Sequence, residues 1–458
     1  MRAKLDKIHK QKRRRPGHRD RLASLQREYK NKIKTARTES FKKFCSSHGS
    51  VPERAGMVRA LTTKPGFSAL ISDAGGGAPV THSQSHDNLL SHHFPAHLTS
   101  PPEEEAVATN SVEGWNDPVM ELLTPHIVSN AIHSFGPLKS PGPDGLRPKV
   151  LQNLGWEAMC FLTEIYRESI ATSTVPHPFL QMKVVFIPKD KPDKSSPKSY
   201  RPITLSSFFL KGLERVVQWH FQETVLRNPL LNQHAYTRGR SCDTALSEVV
   251  NRMERGQFNK EHTLMVSLDC SGAFDNLTYD SSINALREFG VSTALTNWYR
   301  SLLSGRCVAS ELYGLNRTIY PSKGSPQGGV LSPLVWNMAI NNLLKHFKDE
   351  KVVGRYCIKA IGYADDVLLM GQGGDPKYLI SEMQRAINLA CTWSNQCGLD
   401  YNPQKTVCVF IHPGRKEFEH PNLKIGNTTL AWSSKMQYLG LKLDKKLSWN
   451  DHLDEKCL

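Results

Sequence analysis

Two acids stand side by side at Asp365-Asp366, within the run Ile361-Gly362-Tyr363-Ala364-Asp365-Asp366-Val367-Leu368-Leu369-Met370. The run reads as strand, tight turn, strand, with flanks too apolar to be surface. Bare carboxylates beside such flanks repel one another and lose hydration. A divalent cation removes both costs, and Mg2+ favours carboxylate and phosphate oxygens. A third acid, Asp269, follows the apolar run Thr263-Leu264-Met265-Val266-Ser267-Leu268. A strand that delivers an acid at its C-terminal end sets it at a sheet rim, where functional groups commonly sit. The chemistry that suits such a set is nucleotidyl transfer, in which two Mg2+ ions about 3.5–4 Å apart activate an attacking 3′-hydroxyl and steady departing pyrophosphate. Asp269 and Asp365 are far apart in sequence, so only folding unites them. From the hairpin alone, ordinary turn chemistry remains an alternative, because Asp favours turns.

The elements that must position these acids follow from patterning. Met182 to Pro188 is β-branched and apolar and predicts a strand. Pro118 to Phe135 and Leu154 to Thr172 carry apolar residues at helical spacing. Ser140-Pro141-Gly142-Pro143-Asp144-Gly145 is a turn cluster. Helices and strands alternate from there to Leu443, with hairpins rather than regular βαβ units, which points to an α/β or α+β domain. Upstream, residues 46–110 read as a weakly structured linker, with Gly75-Gly76-Gly77, several prolines and the histidines His82, His86, His92, His93 and His97. Those histidines form no clear metal-ligand set. Residues 1–45 read as an amphipathic basic helix, with Leu22, Leu25, Tyr29, Ile33 and Ala36 at helical spacing.

The chain has 458 residues, enough for one large domain or two ordinary ones. Its net charge of +16 favours a polyanionic partner. Most of that charge lies between Met1 and Phe44, where 17 Lys and Arg face four acids. A basic groove elsewhere must therefore come from arrangement rather than excess. The run Lys12-Arg13-Arg14-Arg15 reads as a nuclear-entry signal, a nucleic-acid contact or a solvated face. Ten cysteines without a C-x-x-C pair suggest free thiols in a reducing compartment. No secretory signal core and no membrane-length apolar run is present. The expectation is an intracellular protein without a membrane partner, nuclear or in a cytoplasmic ribonucleoprotein.

The remaining motifs fall in a definite order. Phe186-Ile187-Pro188-Lys189 precedes Tyr200-Arg201-Pro202-Ile203-Thr204-Leu205, then Asn232-Gln233-His234-Ala235-Tyr236, Gly239-Arg240-Ser241 and Thr244-Ala245-Leu246. Ser267-Leu268-Asp269 and Gly272-Ala273-Phe274-Asp275 come next. Gly324-Ser325-Pro326-Gln327-Gly328-Gly329-Val330-Leu331-Ser332-Pro333, the Ala364-Asp365-Asp366 turn, Asn402-Pro403-Gln404-Lys405-Thr406 and Tyr438-Leu439-Gly440 complete the series. The set resembles the fingers–palm–thumb core of non-LTR retrotransposon reverse transcriptases, in wording nearest the Jockey and insect ribosomal-insertion groups. Lys139 to Gly145 is similar to that family's N-terminal extension of the fingers. An unrelated metal phosphohydrolase would leave Phe274, Gln327 and the fingers-like segments without a role.

The resemblance implies a right-hand polymerase fold of α+β class. Fingers extension would span residues 111–167, fingers and palm 168–444, and the start of a thumb 445–458. It implies RNA-directed DNA polymerase activity with two Mg2+ ions (Mn2+ as a substitute), an RNA template, a DNA primer or target, and dNTPs. The oligomeric state stays open. Asp269 and Asp365 resemble the metal-binding carboxylates, with the Cys270 carbonyl as a further ligand, and Asp366 resembles the third acid. Phe274 falls at the sugar gate that excludes a 2′-hydroxyl. Gln327 and Gly328 resemble the loop under the incoming nucleotide, and Lys189 and Arg201 the fingers residues that clamp its triphosphate. Lys405 resembles the lysine that protonates pyrophosphate, and Tyr438-Leu439-Gly440 the hairpin that grips the primer end. Two departures are mild: Ala235-Tyr236 stands where Gly-Phe is common, and Lys323-Gly324-Ser325 where Arg-Gly with Val or Thr is common. No endonuclease-sized fold is expected upstream, and a full thumb is expected to need residues beyond Leu458. A copy that binds RNA without chemistry is the alternative.

Overall fold

The computed structural model describes residues 70–72, 81–102, 114–189, 193–226, 232–347, 358–412 and 421–445, with seven scattered positions before residue 40. Two units divide the chain, Met1–Ser68 and Ala69–Leu458. In the first, the seven described positions are helical, and Lys32 pairs with Glu28 one turn away at 2.9 Å. The apolar stripe and the basic run expected there lie outside the described residues, as do Gly75 to Gly77 and the thumb start after Lys445.

The second unit opens with helix α1 (His82–His93). Thr81 and Gln84 form a capping box that starts it. Within the linker expected at 46–110, this replaces irregular chain by a capped helix over His82–His93, and the rest of that span lies largely outside the described residues. His86 and His93 are buried and bonded rather than solvated: His86 Nε2 lies 2.7 Å from Ser310 Oγ, and His93 Nε2 lies 3.2 Å from the Pro197 carbonyl. The helix is a packed element whose buried histidines find partners on the next sheet, at Ser310, and in the 3-10 turn at Pro197–Ser199. The single helix expected over 118–135 is also broken. A short 3-10 turn covers Pro118–Glu121, and Thr124 caps a new helix, α2 (Pro125–His133), with Pro125 at its first position. Helix α3 (Trp156–Ala171) follows as expected.

A four-stranded sheet comes next, with β1 (Gln181–Pro188) and β2 (Tyr200–Ser206) paired antiparallel and β1 parallel to β4 (Cys307–Leu312), itself antiparallel to β5 (Leu315–Ile319). Between them the chain runs through α4 (Phe208–Glu223), α5 (Cys242–Phe258), strand β3 (His262–Asp269), α6 (Tyr279–Glu288) and α7 (Thr293–Ser304). Segment 81–100 lies along this sheet. Arg317 on β5 bonds Asp87 at 2.9 Å and Ser83 at 2.6 Å, and Leu98 bridges Tyr320.

After β5 come α8 (Ser332–His346), β6 (Lys359–Tyr363), β7 (Asp366–Gly373), α9 (Pro376–Gln396) and β8 (Val407–Ile411). Short strands β9 (Lys424–Ile425), β10 (Thr428–Thr429) and β11 (Trp432–Ser433) precede the hairpin β12 (Lys435–Tyr438) and β13 (Leu441–Asp444). A five-stranded sheet has the order β11-β8-β3-β7-β6. Its inner pairings are antiparallel, as expected, but the edge strand β11 runs parallel to β8. Residues of β3 and β7 are buried along almost their whole length because both faces are covered. One face buries Met265, Leu368 and Met370 against Ala245, Val249 and Met253 of α5 and against Met436 and Leu443 of the hairpin. Helix α9 packs against β3 and β7, and α8 against β6. The fold is therefore mixed α and β, with the apolar runs read from sequence at its centre.

Candidate active site

Antiparallel register decides where the acids fall. On β3 and β7, His262 opposes Gly373 and the ladder runs without a slip to Asp269 opposite Asp366. Directly opposed residues share a sheet face, with Cβ atoms about 5 Å apart. On β6, Tyr363 opposes Asp366, which leaves Ala364 and Asp365 as a two-residue loop. Two sequence-distant strands thus bring all three acids to one rim.

Like charges so placed disfavour ionisation. The weight of protein around Asp366, then Asp365 and Asp269, push its carboxyl up to about 6, although the side chain still reaches solvent. Asp365 is raised too, by burial first and by Asp269, with the Arg201 guanidinium opposing. The charge of Arg201 on β2 therefore reaches the acid site. The Lys189 ammonium donates to the Lys198 carbonyl at 3.0 Å, and with Lys198 it helps hold the exposed His92 of α1 down to about 4, a shift led by the protein packed around the ring and by His93.

Lys405 Nζ lies 3.2 Å from Asp269 Oδ2. The Asn402-Pro403-Gln404-Lys405 turn hangs from Asp269 itself, since the Asn402 N–H donates to the Asp269 carbonyl at 2.9 Å. Within the turn, Gln404 N–H donates to Asn402 Oδ1 and Thr406 N–H to the Asn402 carbonyl, both at 3.0 Å. Cys270 bridges Tyr401 on the same seam. Burial, then Asp365 and Asp269, push its thiol up to about 12, so it stays protonated beside the acids.

The loop carrying Phe274 is tied to the loop carrying Gln327. Ser325 N–H donates to the Phe274 carbonyl and Gly324 N–H to the Leu277 carbonyl, both at 2.8 Å. Phe274 packs on Trp336 with ring centroids 5.6 Å apart. The Gln327 carbonyl accepts from Thr204 N–H of β2 at 2.8 Å, while its Oε1 is buried with no hydrogen-bond partner among the described residues. Gly328, at φ 127°, sits where a Cβ would lie 2.6 Å from the Thr204 carbonyl oxygen, so glycine alone lets this loop lie against β2. Behind Gly328 and Gly329 opens a cavity of about 480 Å3 lined also by Lys139, Lys211 and Arg215. The turn cluster at Ser140–Gly145 reaches it because Gly142 packs on the Ser206–Ser207 backbone and Asp144 accepts from Ser207 Oγ at 2.5 Å.

The Tyr438 side chain points inward. It is buried in the core beneath the five-stranded sheet, and burial, then the charge of Asp366, push its hydroxyl up. Leu439 and Gly440, both at positive φ, form the hairpin turn, with Leu439 half-buried against the core and Gly440 exposed. Of the expected primer-grip residues, Tyr438 is therefore part of the core rather than of the surface.

Among the described residues, no group of three or more His, Cys, Asp or Glu side chains forms a ready-made metal cage. Mg2+ in phosphoryl-transfer sites is held by one or two carboxylates, with water and substrate phosphate completing its shell. The mutually repelling acids, with Lys405 as the one side chain paired with them among the described residues, fit an ion of that kind.

Residues 187–443 match the family described as reverse transcriptase (RNA-dependent DNA polymerase). The chain belongs to that family. It is 24% identical over 436 residues to the putative 115 kDa protein in type-1 retrotransposable element R1DM of Drosophila melanogaster, covering 93% of this chain and 39% of that protein. It is 23% identical over 338 residues to the RNA-directed DNA polymerase from mobile element jockey of the same species, covering 73% of this chain and 36% of that one. The chain thus spans about two fifths of the length of these curated relatives. Among solved structures, apo telomerase from Candida tropicalis truncated from its C-terminal domain aligns at TM-score 0.41 and 13% identity, over 59% of this chain and 54% of that one.

Three supports of this reverse transcriptase site have no assigned role in the sequence. Arg306, 2% exposed, donates through Nη2 to the Gly324 carbonyl at 2.8 Å and the Tyr279 hydroxyl at 3.0 Å, pinning the loop before Gln327. Buried Glu214 accepts from the N–H groups of Val330 and Leu331 at 3.2 Å on the loop's other side. Tyr236 is 58% exposed at φ 54°, and the charge of Asp365 reaches its hydroxyl. A buried charge is invisible to a residue-by-residue reading; only Tyr236 lay in a quoted motif.

Proposed function

We propose that the chain is an RNA-directed DNA polymerase of a non-LTR retrotransposon, adding dNTPs to a primer 3′-hydroxyl. The observation that carries the reading is the register pair Asp269–Asp366 with Asp365 in the adjoining turn. In this reading the five-stranded sheet is the palm, the four-stranded sheet belongs to the fingers, and the Leu439-Gly440 turn meets the primer. Asp269 and Asp365, with the Cys270 carbonyl, hold two Mg2+ ions, and Asp366 adds negative charge at their back. Those ions supply activation of the 3′-hydroxyl and neutralise charge on the leaving pyrophosphate.

The chain's own residues do the rest. Arg201, whose charge already reaches Asp365, binds the triphosphate as a bidentate fork. Phe274, backed by Trp336, excludes a ribose 2′-hydroxyl. The unpartnered Oε1 of Gln327 accepts from the incoming nucleotide, and Lys405 gives a proton to pyrophosphate. The basic lining at Lys139, Lys211 and Arg215 suits a nucleic-acid backbone. Primer extension on an RNA template with Mg2+ and dNTPs tests the reading, with Asp365→Ala, Asp366→Ala as the control. Extension by the parent alone supports it; equal extension by both proteins refutes it, and RNA binding without extension by either points to a binding role.

A further inference from the structure

The Ala364-Asp365 loop is a two-residue hairpin connection in which Ala364 alone has positive φ, at 54°. A turn with left-handed backbone at its first central residue normally takes glycine there, because a Cβ is crowded in that conformation. An alanine at this point needs something to hold it, and the surrounding contacts show what does.

Gln233 is wholly buried. Both ends of its amide grip Ala364: Oε1 accepts from the Ala364 N–H at 3.1 Å, and Nε2 donates to the Ala364 carbonyl at 3.3 Å. The same Oε1 accepts from the Ala235 N–H at 3.1 Å, which fixes the amide's orientation. Trp336 Nε1 donates a second bond to the Ala364 carbonyl at 2.9 Å. The backbone on either side of Gln233 is laid on β6, with Gly362 N–H donating to the Asn232 carbonyl at 2.8 Å and His234 N–H to the Gly362 carbonyl at 2.9 Å. Gly362 permits this approach, since a Cβ there would stand 3.2 Å from Gln233 Nε2.

We propose that Gln233 is a positioning residue that holds Ala364 in its left-handed conformation and so aims the Asp365 carboxylate at the Asp269–Asp366 pair. The inference rests on the polymerase reading above and adds a residue to it. Glutamate at this position would set an oxygen against the Ala364 carbonyl. Methionine fills the space but makes neither bond. In either variant the turn is free to relax toward right-handed backbone, which moves Asp365 relative to Asp269. Trp336 also backs Phe274, so the clamp on the acid turn and the support of the sugar-facing ring share one buried indole.

The test uses the full chain and two readouts, Mn2+ binding followed by electron paramagnetic resonance and Mg2+-dependent primer extension. Gln233→Met is expected to weaken Mn2+ binding and to raise the Mg2+ needed for half-maximal rate, each by about tenfold or more. The KM for dNTP and the far-ultraviolet circular dichroism should change little. Adding Ala364→Gly, which removes the crowding that the clamp opposes, should restore part of both losses. Unchanged Mn2+ affinity in Gln233→Met, or no recovery with Ala364→Gly, overturns the proposal. Wild-type protein that binds Mn2+ but extends no primer removes the polymerase reading and leaves the Gln233 inference to stand or fall on the metal titration. Wild-type protein that does neither overturns both.

Discussion

Asp366→Asn should make the metal-free protein more stable while abolishing primer extension. Asp366 is raised from an ordinary 3.8 up to about 6, by burial first and then by Asp365 and Asp269. That shift of about two units corresponds to a ceiling of ~3 kcal/mol at ~1.4 kcal/mol per unit. The side chain reaches solvent, so screening reduces the expected gain to about 1 kcal/mol, or about 2 °C in Tm for a large domain. The sign follows from proton binding. The folded state holds the proton more tightly than the unfolded chain, so this contribution is fully present below pH ~4 and is lost as pH rises through ~6. In EDTA, wild-type Tm should therefore carry a falling component across that window, and Asp366→Asn should lack it. At about pH 7.5 the variant should melt higher, and Mg2+ should stabilise the wild type more than at about pH 5.5, where protons compete with the ion. Differential scanning fluorimetry with EDTA or Mg2+ across this range measures both. A variant that melts at or below the wild type in EDTA at the higher pH would refute the claim that the acids are mutually destabilising without a cation.

Further expectations follow from the site's supports. Phe274→Ala should reduce the preference for dNTP over rNTP in kcat/KM by about tenfold to a hundredfold, the range that steric rejection of one small group supplies. Lys405→Met should lower kcat by about a hundredfold or more if the lysine gives a proton to pyrophosphate; single-turnover extension separates this from weaker nucleotide binding. Arg306→Met should cost about 3 kcal/mol, because the Gly324 carbonyl and the Tyr279 hydroxyl lose a charged donor in a dry interior. A urea midpoint within error of the wild type would show that water replaces the guanidinium.

The most legible parts of this chain in its sequence were those whose signals are local and redundant. The apolar run ending at Asp269 and the hairpin around Asp365-Asp366 are buried strands, and β-branched Met182–Pro188 lies within β1. The rim they form was expected, but its register was not, because register depends on the partner strand. The helix at 82–93 was hidden by its composition: histidines and serines read as solvated until His86 and His93 are seen bonded to Ser310 and Pro197 across more than a hundred residues. Lys189 was placed by its motif alone, and no local signal showed that its ammonium would bond the Lys198 carbonyl. Tyr438 illustrates a third limit, since a motif names a hairpin without saying which of its residues turns inward.

Asp269 contributes more than one of three carboxylates. Its backbone carbonyl carries the turn that presents Lys405, its side chain pairs with that lysine, and its strand position sets Asp366 opposite. A shift of β3 by one residue would move the acid to the other face of the sheet and detach the lysine turn at the same stroke. The arrangement is thus protected against small slips by the same core that stabilises it, because Met265, Leu368 and Met370 would leave their places under α5. Ala364 lies outside that protection, since the register that leaves a two-residue turn does not relieve the strain of a positive φ on an alanine. Stable strands place Asp269 and Asp366, while the aim of Asp365 depends on side chains reaching in from elsewhere. Substitutions in the sheet core should therefore lower stability and activity together, whereas substitutions at the turn's supports should separate them.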